Sequence, residues 1–220
     1  MSLRRTGLSV AVAVASLAGV AGAQGPVGTG VDVNANNRDQ RWDVQAGTLP
    51  FEDAYLVSGN PGWGTFTGPQ AARWISFDFD ASGPGGSPYT FRTTFDLTGY
   101  DLATVSFNFR CSTDNTFLGW RLNGSALTGG GGGGFGTTGV CTTHPNGITG
   151  AFQSVATGFV AGVNTWDFVV NGDATTDALI VDVTDFTGRQ VSSTVPEPST
   201  YALLGTGLLG LAGIARRRRS

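Results

Sequence analysis

Lysine is missing from all 220 residues, histidine occurs once and cysteine twice. Each scarcity closes a class of chemistry. Without Lys there is no amine for a Schiff base and no ammonium group to hold a phosphate. A Ser-His-Asp site would rest on His144 alone, which precedes Pro145 in a Gly/Thr/Asn-rich stretch and reads as a surface-loop residue. Two Cys and one His without a close C-x-x-C pairing do not make a zinc site. Positive charge is also scarce. Between Gln24 and Thr194 seven Arg face fifteen Asp plus Glu, a balance of −8, so the basic footprint that a nucleic-acid partner requires is absent. No segment before residue 195 repeats its apolar residues at a helical period.

What is present is concentrated at the two ends. Arg4 and Arg5 precede an Ala/Val/Leu-rich stretch from Gly7 to Val20, and Ala21-Gly22-Ala23 follows before Gln24. That order is a secretory signal peptide over residues 1–23 with an A-x-A cleavage site, so the translocon and signal peptidase are expected partners. Arg4-Arg5 followed by Leu8 also resembles a twin-arginine signal, but its context is incomplete and the general secretory route is preferred. Either route exports the chain. In an oxidising compartment Cys111 and Cys141, the only pair, are expected to be bonded, closing a loop of about 30 residues worth roughly 3–4 kcal/mol in the chain-entropy model.

The other end reads Val195-Pro196-Glu197-Pro198-Ser199, then an apolar run from Tyr201 to Ala215, then Arg216, Arg217, Arg218, Arg219 and Ser220. The run is about 15 residues, short of the roughly 20 that cross a bilayer core comfortably. Four terminal Arg favour the cytoplasmic side and leave Glu197 outside. The two prolines hold the Glu197 region extended, as a protease cleft requires. Gly205, Gly207, Gly210 and Gly213 leave room for a close helix–helix approach. A permanent anchor or a core helix would be the plainer readings, but a core helix needs no Arg cluster behind it. The whole order resembles the PEP-CTERM sorting signal of Gram-negative envelope proteins. The resemblance implies that a membrane-embedded exosortase recognises residues 195–220 and cleaves near Pro196-Glu197-Pro198. It also implies transient inner-membrane anchoring by a hydrophobic sorting helix, followed by delivery to the envelope, the surface or the extracellular space.

Between the signals, residues 24–194 are long enough for one domain with a sizeable core. Val31 to Val44 and Phe51 to Val57 are candidate strands, and Trp74 to Asp80 alternates large and polar side chains. Tyr89, Phe91, Thr93, Phe95 and Leu97 share one face at period two. Further strands are expected at Val105 to Cys111, Thr116 to Leu122, Phe152 to Val155, Thr165 to Val170 and Ala178 to Val183. Asn123-Gly124 is a strong hairpin turn. Gly129 to Gly134 reads as a mobile loop. An all-β sandwich or jelly roll is the expected fold. The order Tyr89 to Leu97, Thr113 to Asn115, Leu122 to Gly124, Phe159 to Trp166 and Phe168 to Asn171 is similar to galactose-binding-like jelly-roll modules. That resemblance spans about half the chain, and Trp166 stands where those modules usually carry Leu.

Chemistry inside the domain is sparse. Asp78 and Asp80 are a carboxylate pair of the kind glycoside hydrolysis uses, but beside Phe77 and Phe79 they read as the solvent side of a strand. No cofactor is expected, with structural calcium the one exception weighed. Asp32, Asn34 and Asn36 have loop-site spacing, and Asp173 with Asp177 forms a second set. Each set lacks a full ligand pattern and reads first as a turn. Trp42, Trp74, Trp120 and Trp166 read as core or half-core, whereas Trp63 lies in a loop and is the best candidate for a ligand contact. The expectation is an exported, non-catalytic envelope protein, and the PEP-CTERM resemblance implies a matrix role associated with extracellular polysaccharide. A glycan-specific binding module is the alternative, and an envelope hydrolase acting through Asp78, Asp80 or Asp173 is the weaker one.

Overall fold

The computed structural model describes residues 24–57, 63–66, 70–84, 88–130, 141–143, 151–172, 176–191, 206–208 and 216–217. Among these residues ten strands run in the order β1 Arg38–Ala46, β2 Glu52–Leu56, β3 Ile75–Ser76, β4 Pro88–Asp96, β5 Tyr100–Asp114, β6 Phe117–Leu122, β7 Cys141–Thr143, β8 Gln153–Val155, β9 Val163–Asn171 and β10 Ala178–Gln190. They form one hydrogen-bonded path, β6-β9-β4-β1-β2-β3-β10-β5-β7, with β8 also on β5. Every ladder is antiparallel except β5–β7.

The path curls until its halves face each other. Strands β5 and β9 share no ladder, yet Phe107 and Phe109 of β5 lie 5.0 and 4.9 Å from Trp166 of β9, ring centre to ring centre. Phe95 of β4 meets Phe107 edge-on at 6.0 Å. The fold is therefore all-β and sandwich-like, as the alternation predicts. In β4 the predicted face is buried throughout: Tyr89, Phe91, Thr93, Phe95 and Leu97 are all at most 3% exposed. Trp42 and Trp166 are wholly buried, and Trp120 packs half-buried against the same core.

Three local expectations need correction. Trp74 to Asp80 is not one strand: only Ile75–Ser76 pairs, and Phe79 is exposed. The Asp78 carboxylate accepts the Ser82 amide at 2.7 Å and Ala81 takes φ 62°, so the chain turns where alternation alone suggested extension. Strand β10 runs seven residues beyond Val183, held to the start of β5 by the Tyr100–Phe186 ring contact at 5.7 Å and the Ser106–Thr187 hydroxyl pair at 2.9 Å. Strand β7 was not anticipated, being three residues long. Asn123 and Gly124 do take positive φ, 52° and 71°, and Ser125 N donates to Leu122 O across the turn at 3.1 Å.

From Ala178 to Val183 strand β10 is buried on both faces. Leu179, Val181 and Val183 join the main core, while Ala178 and Ile180 pack with Phe66, Ala72 and Trp74 in a second cluster. That cover explains why Ala178 to Val183 reads as an almost continuous apolar run instead of an alternating one.

Candidate functional site

The predicted sorting residues Val195, Pro196, Glu197, Pro198, Arg218 and Arg219 lie outside the described residues, as do His144 and Asp173. Residues 206–208 and Arg216–Arg217 have helical backbone and are exposed. The predicted 201–215 helix otherwise lies outside the described residues, as do the predicted signal peptide and Gly131 to Gly134 of the expected glycine loop. Among the described residues no helix is long and apolar enough to cross a membrane.

What the structure does describe is the place where the domain hands over to that tail. Val191, just past β10, donates its amide to Gly99 O at 2.7 Å. Gln24, the first described residue, donates to Asp96 O at 3.2 Å in the same turn, and Gly25 lies against the Phe186 ring. A Cβ added at Gly25 would sit 2.5 Å from that ring, so only Gly passes there without displacement. Leu97 donates to Gly162 O at 2.9 Å, which brings the loop before β9 to the same end. Asn164, fully buried, braces that loop by accepting the Val160 amide at 2.9 Å and donating to Val160 O and Gly162 O at 2.8 and 2.9 Å. The turn is also electrostatically set. Hydrogen bonds from the Thr98 hydroxyl, and then its amide, hold the Asp96 carboxyl below its usual range, and Arg189 does the same for Asp101. Both chain directions thus leave the sandwich from one end.

An open depression of about 340 Å³ borders this end, lined by Gln24, Gln40, Arg41, Asp43, Thr94, Phe95, Asp96 and Val163. It continues into a charged row across the outer face of five strands. Register places Asp53, Asp43, Arg92, Asp167 and Arg121 side by side. The buried Asp167 carboxylate accepts Arg92 Nε and Nη2 at 2.7 and 3.0 Å and Arg121 Nε at 2.9 Å, while Arg92 also stacks 4.2 Å over Phe51. Desolvation, and then the neighbouring Asp53 charge, push the Asp43 carboxyl above its usual range. Sequence reading missed this row. Arg92 sits between the inward-facing Phe91 and Thr93 and Asp167 between Trp166 and Phe168, which marks both as outward-facing, but nothing local pairs residues 75 apart.

Cys111 and Cys141 are bonded, with Cα atoms 4.6 Å apart, directly opposite each other in the β5–β7 register. Trp63 is half-buried: its ring lies 4.9 Å from Trp74 and packs against the second cluster, so the loop aromatic folds back onto the sandwich. The Asp32–Asn36 segment is a turn in which Asn34 Oδ1 accepts the Asn36 and Arg38 amides at 2.9 and 3.1 Å. Asp177 is buried and takes Asn115 Nδ2 at 2.6 Å, tying the start of β10 to the end of β5. Among the described residues no three His, Cys, Asp or Glu side chains gather as a metal site. Asp78 and Asp80 are both engaged with Ser82, Asp80 through its hydroxyl at 2.7 Å. Burial raises the Asp78 carboxyl, whereas the Ser82 hydroxyl lowers that of Asp80.

Asp39 is a strongly perturbed carboxyl. It is buried, and desolvation lifts its pKa from 3.8 to about 6 although the Gly30 and Arg41 amides donate to it at 2.6 and 2.8 Å. The folded state therefore binds a proton more tightly than the unfolded chain between those values. Asp39 favours folding most at low pH, and its contribution declines as pH rises through about 4 to 6, by about 3 kcal/mol in total. Unfolding titrations of the wild type and Asp39→Asn should show that the stability difference, wild type minus variant, falls by about this much from pH 4 to pH 7. A difference independent of pH would remove Asp39 as the titrating group.

Comparison with known proteins bears on the tail alone. The profile of the PEP-CTERM protein-sorting motif matches residues 194–219. No curated protein matches the chain, and no solved structure matches it, so the galactose-binding-like resemblance gains nothing from these comparisons.

Proposed function

We propose that this chain, a PEP-CTERM protein that the motif targets to exosortase and hence for export to the envelope, is a non-catalytic component of the cell envelope or extracellular matrix associated with exopolysaccharide. The single observation that carries the reading is the match over residues 194–219. The hydrophobic run anchors the precursor transiently in the inner membrane, cleavage near Pro196-Glu197-Pro198 removes it, and the sandwich is what is delivered. The candidate carboxylate pair, Asp78 and Asp80, is committed to a turn, which favours a structural over a hydrolytic role. The depression beside Asp96 and the row through Arg92 and Asp167 offer amide, carboxylate and guanidinium groups. Groups of this kind hydrogen-bond sugar hydroxyls.

Intact mass of the protein recovered from an exosortase-bearing host tests the processing. The mature species should end upstream of Tyr201 and lack Arg216 to Arg219. Deleting residues 195–220 should release the domain to the soluble extracytoplasmic fraction without further trimming. A mature envelope species that retains the four Arg would refute the reading.

A further inference from the structure

The sorting motif begins very close to a folded edge. Only residues 192–195 separate Val191, whose amide is fixed on Gly99 O, from Pro196. Five Cα–Cα steps span at most about 18 Å even when fully extended. A protease that holds Pro196-Glu197-Pro198 in its cleft therefore has the end of the sandwich against its rim. That end is a defined surface. It consists of the Leu97–Tyr100 turn and the Val160–Val163 loop, joined by the Leu97 to Gly162 hydrogen bond and stiffened by Asn164. It is also unusually apolar for exposed loops: Val160, Val163 and Val191 are 44%, 64% and 50% exposed. Exposed apolar groups gathered at one end mark an interaction surface.

We infer that this end of the sandwich, centred on Val160 and Val163, is a docking surface for the exosortase, and that the four-residue spacer sets the fit between them. The inference rests on the processing proposed above and adds the surface that processing uses. The chain entering from residue 23 arrives at the same end, through Gln24 on Asp96. An N-terminal export signal and a C-terminal tail thus both draw this end, and not the opposite one, towards the membrane where the protease sits. A short tether holds the two partners at an effective concentration of roughly millimolar, so even a weak contact is populated and an unfavourable one is felt. Neither Val side chain is part of the Asn164 brace, which uses backbone groups of the loop, so the surface can be altered without removing what shapes it.

The test uses the full chain in an exosortase-bearing host, with the fraction of tail removed read by immunoblot and mass, and protease resistance of the domain as the folding control. Deleting Ser192 and Ser193 leaves the matched residues 194–219 intact but pulls Pro196 to within about 11 Å of Val191. The cleaved fraction should fall at least about tenfold, and a twelve-residue Gly/Ser insertion after Val191 should restore it. Val160→Asp with Val163→Asp should lower cleavage about fivefold at the native spacing, again with recovery on insertion of the spacer, because distance makes the surface irrelevant. Cleavage of the shortened or the double-Asp chain at the wild-type rate would overturn the inference while leaving the processing intact. A defect that the spacer does not relieve would also overturn it, pointing to lipid contact or misfolding instead. A wild-type chain that is never cleaved would overturn both.

Discussion

Trp166→Ala is expected to cost about 3–5 kcal/mol, the upper range for a buried aromatic. The indole lies between the two layers, with ring centres of Phe168, Phe109 and Phe107 at 4.6, 4.9 and 5.0 Å and Trp42 at 6.1 Å. Truncation removes the group that links β9 to β5 across the core, and well-packed aromatic neighbours cannot collapse into the space without leaving their rotamers. For a domain of this size the melting temperature should fall by roughly 6–20 °C. Trp166→Phe should be far milder, on the order of 1 kcal/mol. Its aromatic ring keeps most of the contacts, and the indole N–H that it removes is buried with no partner among the described residues. Urea unfolding followed by far-UV circular dichroism checks both. An Ala variant within 1 kcal/mol of wild type would show that the two layers are not joined there.

The second large effect belongs to the disulfide. Cys111→Ser with Cys141→Ser should destabilise the domain by about 3–4 kcal/mol, because a bond closing 30 residues removes that much loop entropy from the unfolded chain. Within the loop it closes, β6 is anchored independently, since it pairs with β9 and buries Phe117 and Leu122 in the main core, whereas β7 makes only three residue pairs with β5. Without the covalent bond β7 has too few ladder contacts to offset the entropy of ordering it. Its departure uncovers the edge of β5 at Cys111–Thr113, a row of backbone donors and acceptors prone to pair with other chains. Reductant should reproduce the loss in the wild type and leave the double Ser variant unchanged. Equal stability of oxidised and reduced wild type would show that β7 holds by itself.

These two cases divide what could be read in advance from what could not. The face of β4 was legible because side-chain alternation is local: Tyr89, Phe91, Phe95 and Leu97 need no distant partner to be placed on one side. The Asn123-Gly124 turn was legible because positive φ is a property of two residues. The Trp74–Asp80 segment shows the limit. Its alternation is as regular as that of β4, but a carboxylate four residues before Ser82 offered the backbone a better local partner than a ladder. Trp63 shows another. A loop aromatic is equally able to face solvent or fold back, and Trp74 together with the outer face of β10 decided the matter.

For the functional region the division is sharper. The tail's address was legible in the primary structure, because the Pro-Glu-Pro motif, the hydrophobic run and the Arg cluster are defined by their order along the chain. The cysteine pairing was equally determined, there being only two. Which residues surround the point of departure was decided by tertiary structure alone. The Gly99 contact of Val191, the Asp96 contact of Gln24 and the row from Asp53 to Arg121 all depend on strand register and on the curl of the sheet. Those in turn are set by contacts between distant residues, such as the hydrogen bonds that close β10 on Thr29 across a separation of 152 residues. Linear order carried the destination, and non-local packing chose the end of the domain that arrives first.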